Sequence, residues 1–124
     1  MTDWNAMGDE DFRREVRAFV EREYPPHLRY ILHRARWHEM KGWWKKLYEQ
    51  GWIAPNWPLE WGGMALDAGK MVIYLEEMER HGIARPPDQG IVQVGPVIMR
   101  YGTEAQKQHY LPRTLSGEYI WCQG

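Results

Sequence analysis

WHEMKGWWKKLYEQGWIAPNWPLEWGG, residues 37–63, is the stretch that decides the architecture. Met40, Trp43, Trp44, Leu47 and Tyr48 recur at helical spacing, which predicts the buried face of an amphipathic helix. Gly51 follows the last periodic residue and is placed to close that helix in the left-handed conformation. From Trp52 onward, Pro55, Pro58 and the Gly62-Gly63 pair make loop composition, yet Trp52, Ile53, Trp57, Leu59 and Trp61 are too apolar for an ordinary surface loop. Such a loop folds back onto a core or closes over something. The chain has 8 Trp and only 2 Phe in 124 residues. Trp37, Trp43, Trp44, Trp52, Trp57 and Trp61 all lie in this window. The favoured reading is core filling, since each indole buries a large area if its N–H finds an acceptor. The alternative is an exposed aromatic patch for a ligand or a neighbouring subunit.

On the N-terminal side, Phe12, Val16, Phe19 and Val20 make the stripe of a helix from Asp9 to Tyr24. Asp9, Glu10 and Asp11 suit its positive end, and Pro25-Pro26 must stop it. Residues 27–46 carry Arg29, Arg34, Arg36, Lys41, Lys45 and Lys46 against Glu39 alone. That basic stretch reads as a solvated face, with a phosphate-bearing partner as the minority reading. On the C-terminal side a helix is expected from Leu66 to Arg80, capped by Asp67, with Met71, Val72, Leu75 and Met78 as its apolar stripe and Gly82 at its end.

ARPPD, residues 84–88, is a Pro-broken link. Residues 89–101 read as helix again, with Pro96 starting a new turn or kinking an existing one and Val97, Ile98 and Tyr101 facing inward. Gly102 closes that segment, and Thr103 with Gln106 forms a capping box for a short helix through Tyr110. Pro112 opens one more turn, and Ser116-Gly117 is a turn. Tyr119, Ile120, Trp121 and Cys122 read as a strand start at the C-terminus. A lone strand has no neighbour to satisfy its backbone, so the sequence looks cut short. The fold class expected is all-α, a bundle of five or six short helices.

Composition narrows the function. Lys+Arg number 16 against 17 Asp+Glu, which excludes a generally basic surface for nucleic acid. Cys122 is the single cysteine, so no internal disulfide forms; a buried structural thiol is favoured over a nucleophile, and a cytoplasmic location fits. The N-terminus lacks the pattern of a secretory signal, and no apolar run approaches the roughly 20 residues of a membrane span. No phosphate-binding glycine loop or metalloprotease helix motif is present, and His33 and His38 sit off one helical face, so no metal site is expected. Glu76, Glu77 and Glu79 read as a wet helix face. No complete catalytic set emerges.

Two stretches carry a resemblance. GWIAPNWPLEWGG (51–63) and GPVIMRYGTEAQKQHYLPRTLSGEYIWCQG (95–124) resemble the acyl-CoA dehydrogenases, in their N-terminal helical domain and the first residues of the strand that follows. The succession Gly-Pro, Y-G-T-E-x-Q-K, Y-L-P and S-G-E is specific, and the intervening helix and link fall in the family's order. The resemblance implies residues 1–118 as the helical domain and 119–124 as the start of a β domain. It further implies an FAD enzyme that oxidises the Cα–Cβ bond of an acyl-CoA thioester to an enoyl-CoA and passes its electrons to an electron-transfer flavoprotein. Such chemistry needs a dry pocket around a hydrogen-bonded thioester carbonyl. By position, Gln123 and Gly124 correspond to the edge of the flavin-contacting segment, and Asp88, Ile91 and Val92 to an acyl-chain wall. No catalytic residue is carried over, because the segments bearing the family's base have no counterpart here. The remaining dehydrogenase domains or a partner subunit, and a homo-oligomer, are expected. The alternative is a stand-alone helical interaction module that uses the Trp-rich loop 52–63.

Overall fold

The computed structural model describes residues 2–124. Five α-helices follow one another: α1 (Asp9–Glu23), α2 (Trp37–Gln50), α3 (Ala68–Arg80), α4 (Gly95–Tyr101) and α5 (Glu104–Ser116). Short 3-10 turns lie at Pro26–Leu28 and Leu59–Trp61, and a π-helical turn at Gly90–Val94 leads directly into α4. No strand occurs among the described residues, so the architecture is all-α.

Local rules explain the helix ends. Tyr24, ahead of the Pro25-Pro26 pair, is extended at φ −76°, ψ 131° and terminates α1. Gly51 closes α2 at φ 81°, where a Cβ would be strained. Asp67 caps α3 by accepting a hydrogen bond from the Lys70 amide at 2.8 Å. At α5 the Thr103 hydroxyl accepts from the Gln106 amide at 3.1 Å, and the Gln106 side chain accepts from the Thr103 amide at 2.9 Å.

The tryptophans of the window are mostly core. Trp43, Trp52 and Trp57 are among the largest fully buried side chains. Phe19 lies 4.6 Å from Trp52 and Tyr24 meets Trp43 edge-on at 5.1 Å, joining α1 to α2 and to the loop. Pairs of this geometry are worth about 0.5–1.5 kcal/mol each beyond the area they bury. Trp44 Nε1 donates to the Leu115 carbonyl at 3.0 Å and Trp57 Nε1 to the Ile91 carbonyl at 2.8 Å. Trp52 is the exception, its buried Nε1 having no acceptor.

α1 and α3 form the most extensively packed helix pair. Between them Glu77, 1% exposed, receives Arg17 Nε at 2.6 Å, Arg80 Nε at 3.1 Å and Arg13 Nη1 at 3.3 Å. Arg17 foremost, helped by Arg80, overcomes the cost of burial and pulls the Glu77 carboxyl down to about 2. At the other end of the seam the buried Lys70 ammonium pairs with Asp9 at 2.6 Å.

The structure departs from the sequence reading at several points. The buried residues of α3 are Lys70, Ile73, Tyr74 and Glu77, whereas Val72 and Leu75 are exposed. Charge pairing lets Lys70 and Glu77 go inside, so Glu77 is no part of a wet face. Val97 and Tyr101 of the short α4 face outward, as do Tyr48 and Leu59. Pro112 lies inside a continuous α5 and opens no separate turn. In the same turn Arg113 Nη1 donates to the His109 carbonyl at 2.8 Å and the Thr114 hydroxyl to the Tyr110 carbonyl at 2.7 Å, while the Gln108 carbonyl is the one that loses its amide donor to the proline. Residues 119–124 form no strand, there being no sheet among the described residues to complete a ladder. Cys122 is exposed, not a buried structural thiol.

Candidate functional site

A concavity of about 440 Å³ opens between α3, the loop after α2 and the chain from Ile83 to Val92. Met71, Leu75 and Met78 form one wall, Ile53 and Pro55 another, and Ile91 and Val92 a third, over a floor that includes Trp43 and Tyr74. Asp88, Ile91 and Val92, the three residues placed by resemblance along an acyl wall, therefore lie together in one apolar groove. Ile91 is buried, Val92 is about half exposed and Asp88 is half-buried.

Trp57 holds this wall in place. Its Nε1 bond to the Ile91 carbonyl ties the loop to the π-helical turn, and its ring occupies the space where a Cβ on Gly95 would lie. Gly95 is thus required by close packing, and its amide bonds the Gly90 carbonyl across the widened turn. A Cβ on Gly90 would meet Thr114 and Trp121 at 2.6 Å, so the opposite side of the same turn is pressed against α5 and the C-terminal segment. Widened helical turns of this kind recur at functional sites.

The entering chain is pinned as firmly. The Tyr24 hydroxyl donates to the Leu28 carbonyl at 2.9 Å and accepts from the Ala84 amide at 3.1 Å. Arg29 Nε donates to the His81 carbonyl at 2.9 Å, and the Tyr30 amide to the Gly82 carbonyl at 2.8 Å. The Asp88 carbonyl then accepts the Ile91 and Val92 amides at 2.9 and 3.0 Å, starting the next helical segment. Arg85 Nε bonds both carboxylate oxygens of Asp88 at 3.1 Å. In the floor, the Tyr74 hydroxyl donates to the Trp52 carbonyl at 2.9 Å, and burial pushes its phenol well above the usual range. Tyr74 is therefore a neutral wall residue at any working pH.

The arrangement can receive an apolar chain and keep water from it. Its carboxylates are the Arg85-paired Asp88 and the exposed Glu79 at the margin, and Tyr74 is held as a donor to the Trp52 carbonyl. Gln123 and Gly124 lie elsewhere: both are exposed, and a Cβ built on Gly124 would have nothing within 4 Å. They follow Trp121, whose Nε1 donates to the Thr114 hydroxyl at 2.9 Å. Sequence reasoning missed Trp57 and Gly95 as the supports of the wall, and took Met71, Leu75 and Met78 for core. The Gly95-Pro96 pair was the available signal, because a glycine ahead of a helix-starting proline marks either a turn or a close approach.

Comparison with known proteins gives a consistent result. The sequence family described as "Acyl-CoA dehydrogenase, N-terminal domain" matches residues 8–118. The acyl-CoA dehydrogenase FadE26 of Mycobacterium tuberculosis (strain ATCC 25618 / H37Rv) is 32% identical over 123 residues, covering 93% of this chain and 30% of that protein. The mitochondrial isovaleryl-CoA dehydrogenase of Pongo abelii is 29% identical over 120 residues, covering 94% of this chain and 28% of that protein. Among solved structures, the ChsE4-ChsE5 complex from Mycobacterium tuberculosis superposes with a TM-score of 0.73 at 32% identity, covering 89% of this chain and 28% of that one. The Tcur3481-Tcur3483 steroid ACAD does so with a TM-score of 0.68 at 30% identity, covering 90% of this chain and 29% of that one. The chain thus spans less than a third of the length of the relatives it matches.

Proposed function

Because the chain belongs to the acyl-CoA dehydrogenase family, as its N-terminal domain, we propose that it walls the acyl pocket of a flavin-dependent enzyme that converts an acyl-CoA thioester to the enoyl-CoA. In this reading residues 1–118 are the helical domain, residues 119–124 lead into a β domain, and FAD is held mainly by groups outside this chain, with Gln123 and Gly124 at its edge. The assembled enzyme is a cytoplasmic homo-oligomer or a complex with a partner subunit, reoxidised by an electron-transfer flavoprotein.

The single observation that carries the proposal is the apolar groove in which Asp88, Ile91 and Val92 converge. Removing an α-proton from a thioester requires that its carbonyl be hydrogen-bonded and that water stay away. The chain's own residues act on the second requirement. Ile91, Val92, Leu75 and the methionines of α3 offer apolar surface to an acyl group, and each methylene moved from water onto such surface gains about 0.8 kcal/mol. Met71 and Met78 can reshape to the bound chain, which suits them to a groove better than β-branched residues. Trp57 fixes the wall rigidly from behind.

An aromatic docking patch on loop 52–63 is disfavoured by geometry, because Trp52 and Trp57 are buried. The test is a paired assay. The full-length protein carrying this domain should form enoyl-CoA from saturated acyl-CoA in the presence of an electron acceptor. The 124-residue chain incubated with FAD and desalted should show no retained flavin absorbance and no turnover. A flavin-loaded, active 124-residue chain would contradict the assignment of this piece to the pocket wall.

A further inference from the structure

Beside the apolar groove lies a second concavity, of about 600 Å³, with a different lining. Arg34, His33, Gln89 and Gln93 contribute to it, and Asp88, already paired with Arg85, is its one acid. Ala84, Arg85, Pro86 and Asp88 line both concavities, so the link 84–88 is a shared rim with apolar surface on one side and hydrogen-bond donors on the other. Arg34 makes no ion pair among the described residues, and His33 is engaged by Glu39 at 2.9 Å. The Arg85–Asp88 pair is exposed on the arginine side, 73%, and pairs so placed are held weakly.

From this juxtaposition we infer that the site reads the far end of its acyl group, and that Arg85 is the specificity-determining residue for acyl thioesters with an apolar body and a distal carboxylate. Charge complementarity supports this reading. The groove that holds Leu75 and Val92 has Arg85 as the one cationic residue of its lining, and Arg34 lies with Arg85 in the adjoining concavity. A carboxylate there accepts a charge-assisted pair of hydrogen bonds, for which the planar fork of arginine is matched, and it displaces Asp88 from a partner it holds loosely. A methyl end at the same place leaves Asp88 where it is and gains nothing from Arg85. The pinned backbone at Gly82 and Ala84 keeps the rim from drifting as the ligand changes.

This inference rests on the acyl-pocket reading, and the experiment separates the two. In the full-length protein, binding and turnover of octanoyl-CoA and of suberoyl-CoA, which has the same length but ends in a carboxylate, are measured independently. The expected result is tighter binding of suberoyl-CoA, with the preference reduced about fivefold in Arg85→Ala, partly restored in Arg85→Lys, and reduced to a smaller extent in Arg34→Ala, through KM and not kcat. Equal binding of the two thioesters, or a preference untouched by Arg85→Ala, overturns the inference even if both are turned over. A preference lost in Arg85→Ala without any turnover sustains the distal reader and removes the dehydrogenase reading.

Discussion

The seam between α1 and α3 and the groove between α3 and residues 83–92 share one helix and use it in opposite ways. Toward α1, α3 presents Lys70 and Glu77, each buried and each ion-paired. Toward the groove it presents Met71, Leu75 and Met78, which are only partly covered. The difference teaches that charge can be the buried, structural element of a helix while its apolar residues are left accessible. The seam spends its interactions on holding the bundle, whereas the groove keeps apolar surface available for a guest.

The sharpest way to break the comparison is to remove the groove's rear support. Trp57→Ala deletes a fully buried indole and the Nε1 bond to Ile91, and should lower unfolding stability by about 3–5 kcal/mol in urea titration. A smaller loss would mean that the wall is held by something other than Trp57.

Acid tests the other side. The Glu77 carboxyl is held at about 2 against an ordinary 4.5, so its contribution is complete above the unfolded value and is lost as pH falls from about 4.5 toward 2. That window should account for about 3 kcal/mol of stability, read from denaturant midpoints across the pH range. Glu77→Gln should flatten this dependence, and Trp57→Ala should keep it. Next in size, Gly95→Ala should cost about 1–3 kcal/mol by thermal unfolding, because the new methyl overlaps the Trp57 ring. An unchanged midpoint would show that the π-helical turn can shift away freely.

Much of the fold could be read locally. The four-residue stripe of α1, the double proline after it, Gly51, the Asp67 cap and the Thr103–Gln106 box each depend on neighbours within a turn or two of chain, and each appears as expected. What escaped depends on partners far away in sequence. α3 carries apolar residues on two faces, and only the arginines of α1 reveal that Glu77 belongs inside while Leu75 does not. Pro112 lies inside a continuous α5, so the helix runs on past a residue that local propensity reads as a start or a break. The groove was legible only through resemblance: Asp88, Ile91 and Val92 were picked by their place before Gly95-Pro96, and their meeting with Leu75 is a tertiary fact. Gln123 and Gly124 are both exposed, and a Cβ on Gly124 would meet nothing within 4 Å, so neither is tied to the bundle that made the other elements legible.

The most direct test fills the groove without touching its supports. Leu75 is half exposed and lines the wall, so Leu75→Trp should leave unfolding stability within about 0.5 kcal/mol. In the full-length protein the same change should raise KM for long acyl-CoA thioesters about tenfold while sparing short ones, since the indole takes the space of several methylenes. An unaltered chain-length profile in a stably folded Leu75→Trp protein would contradict the assignment of this groove to the acyl group.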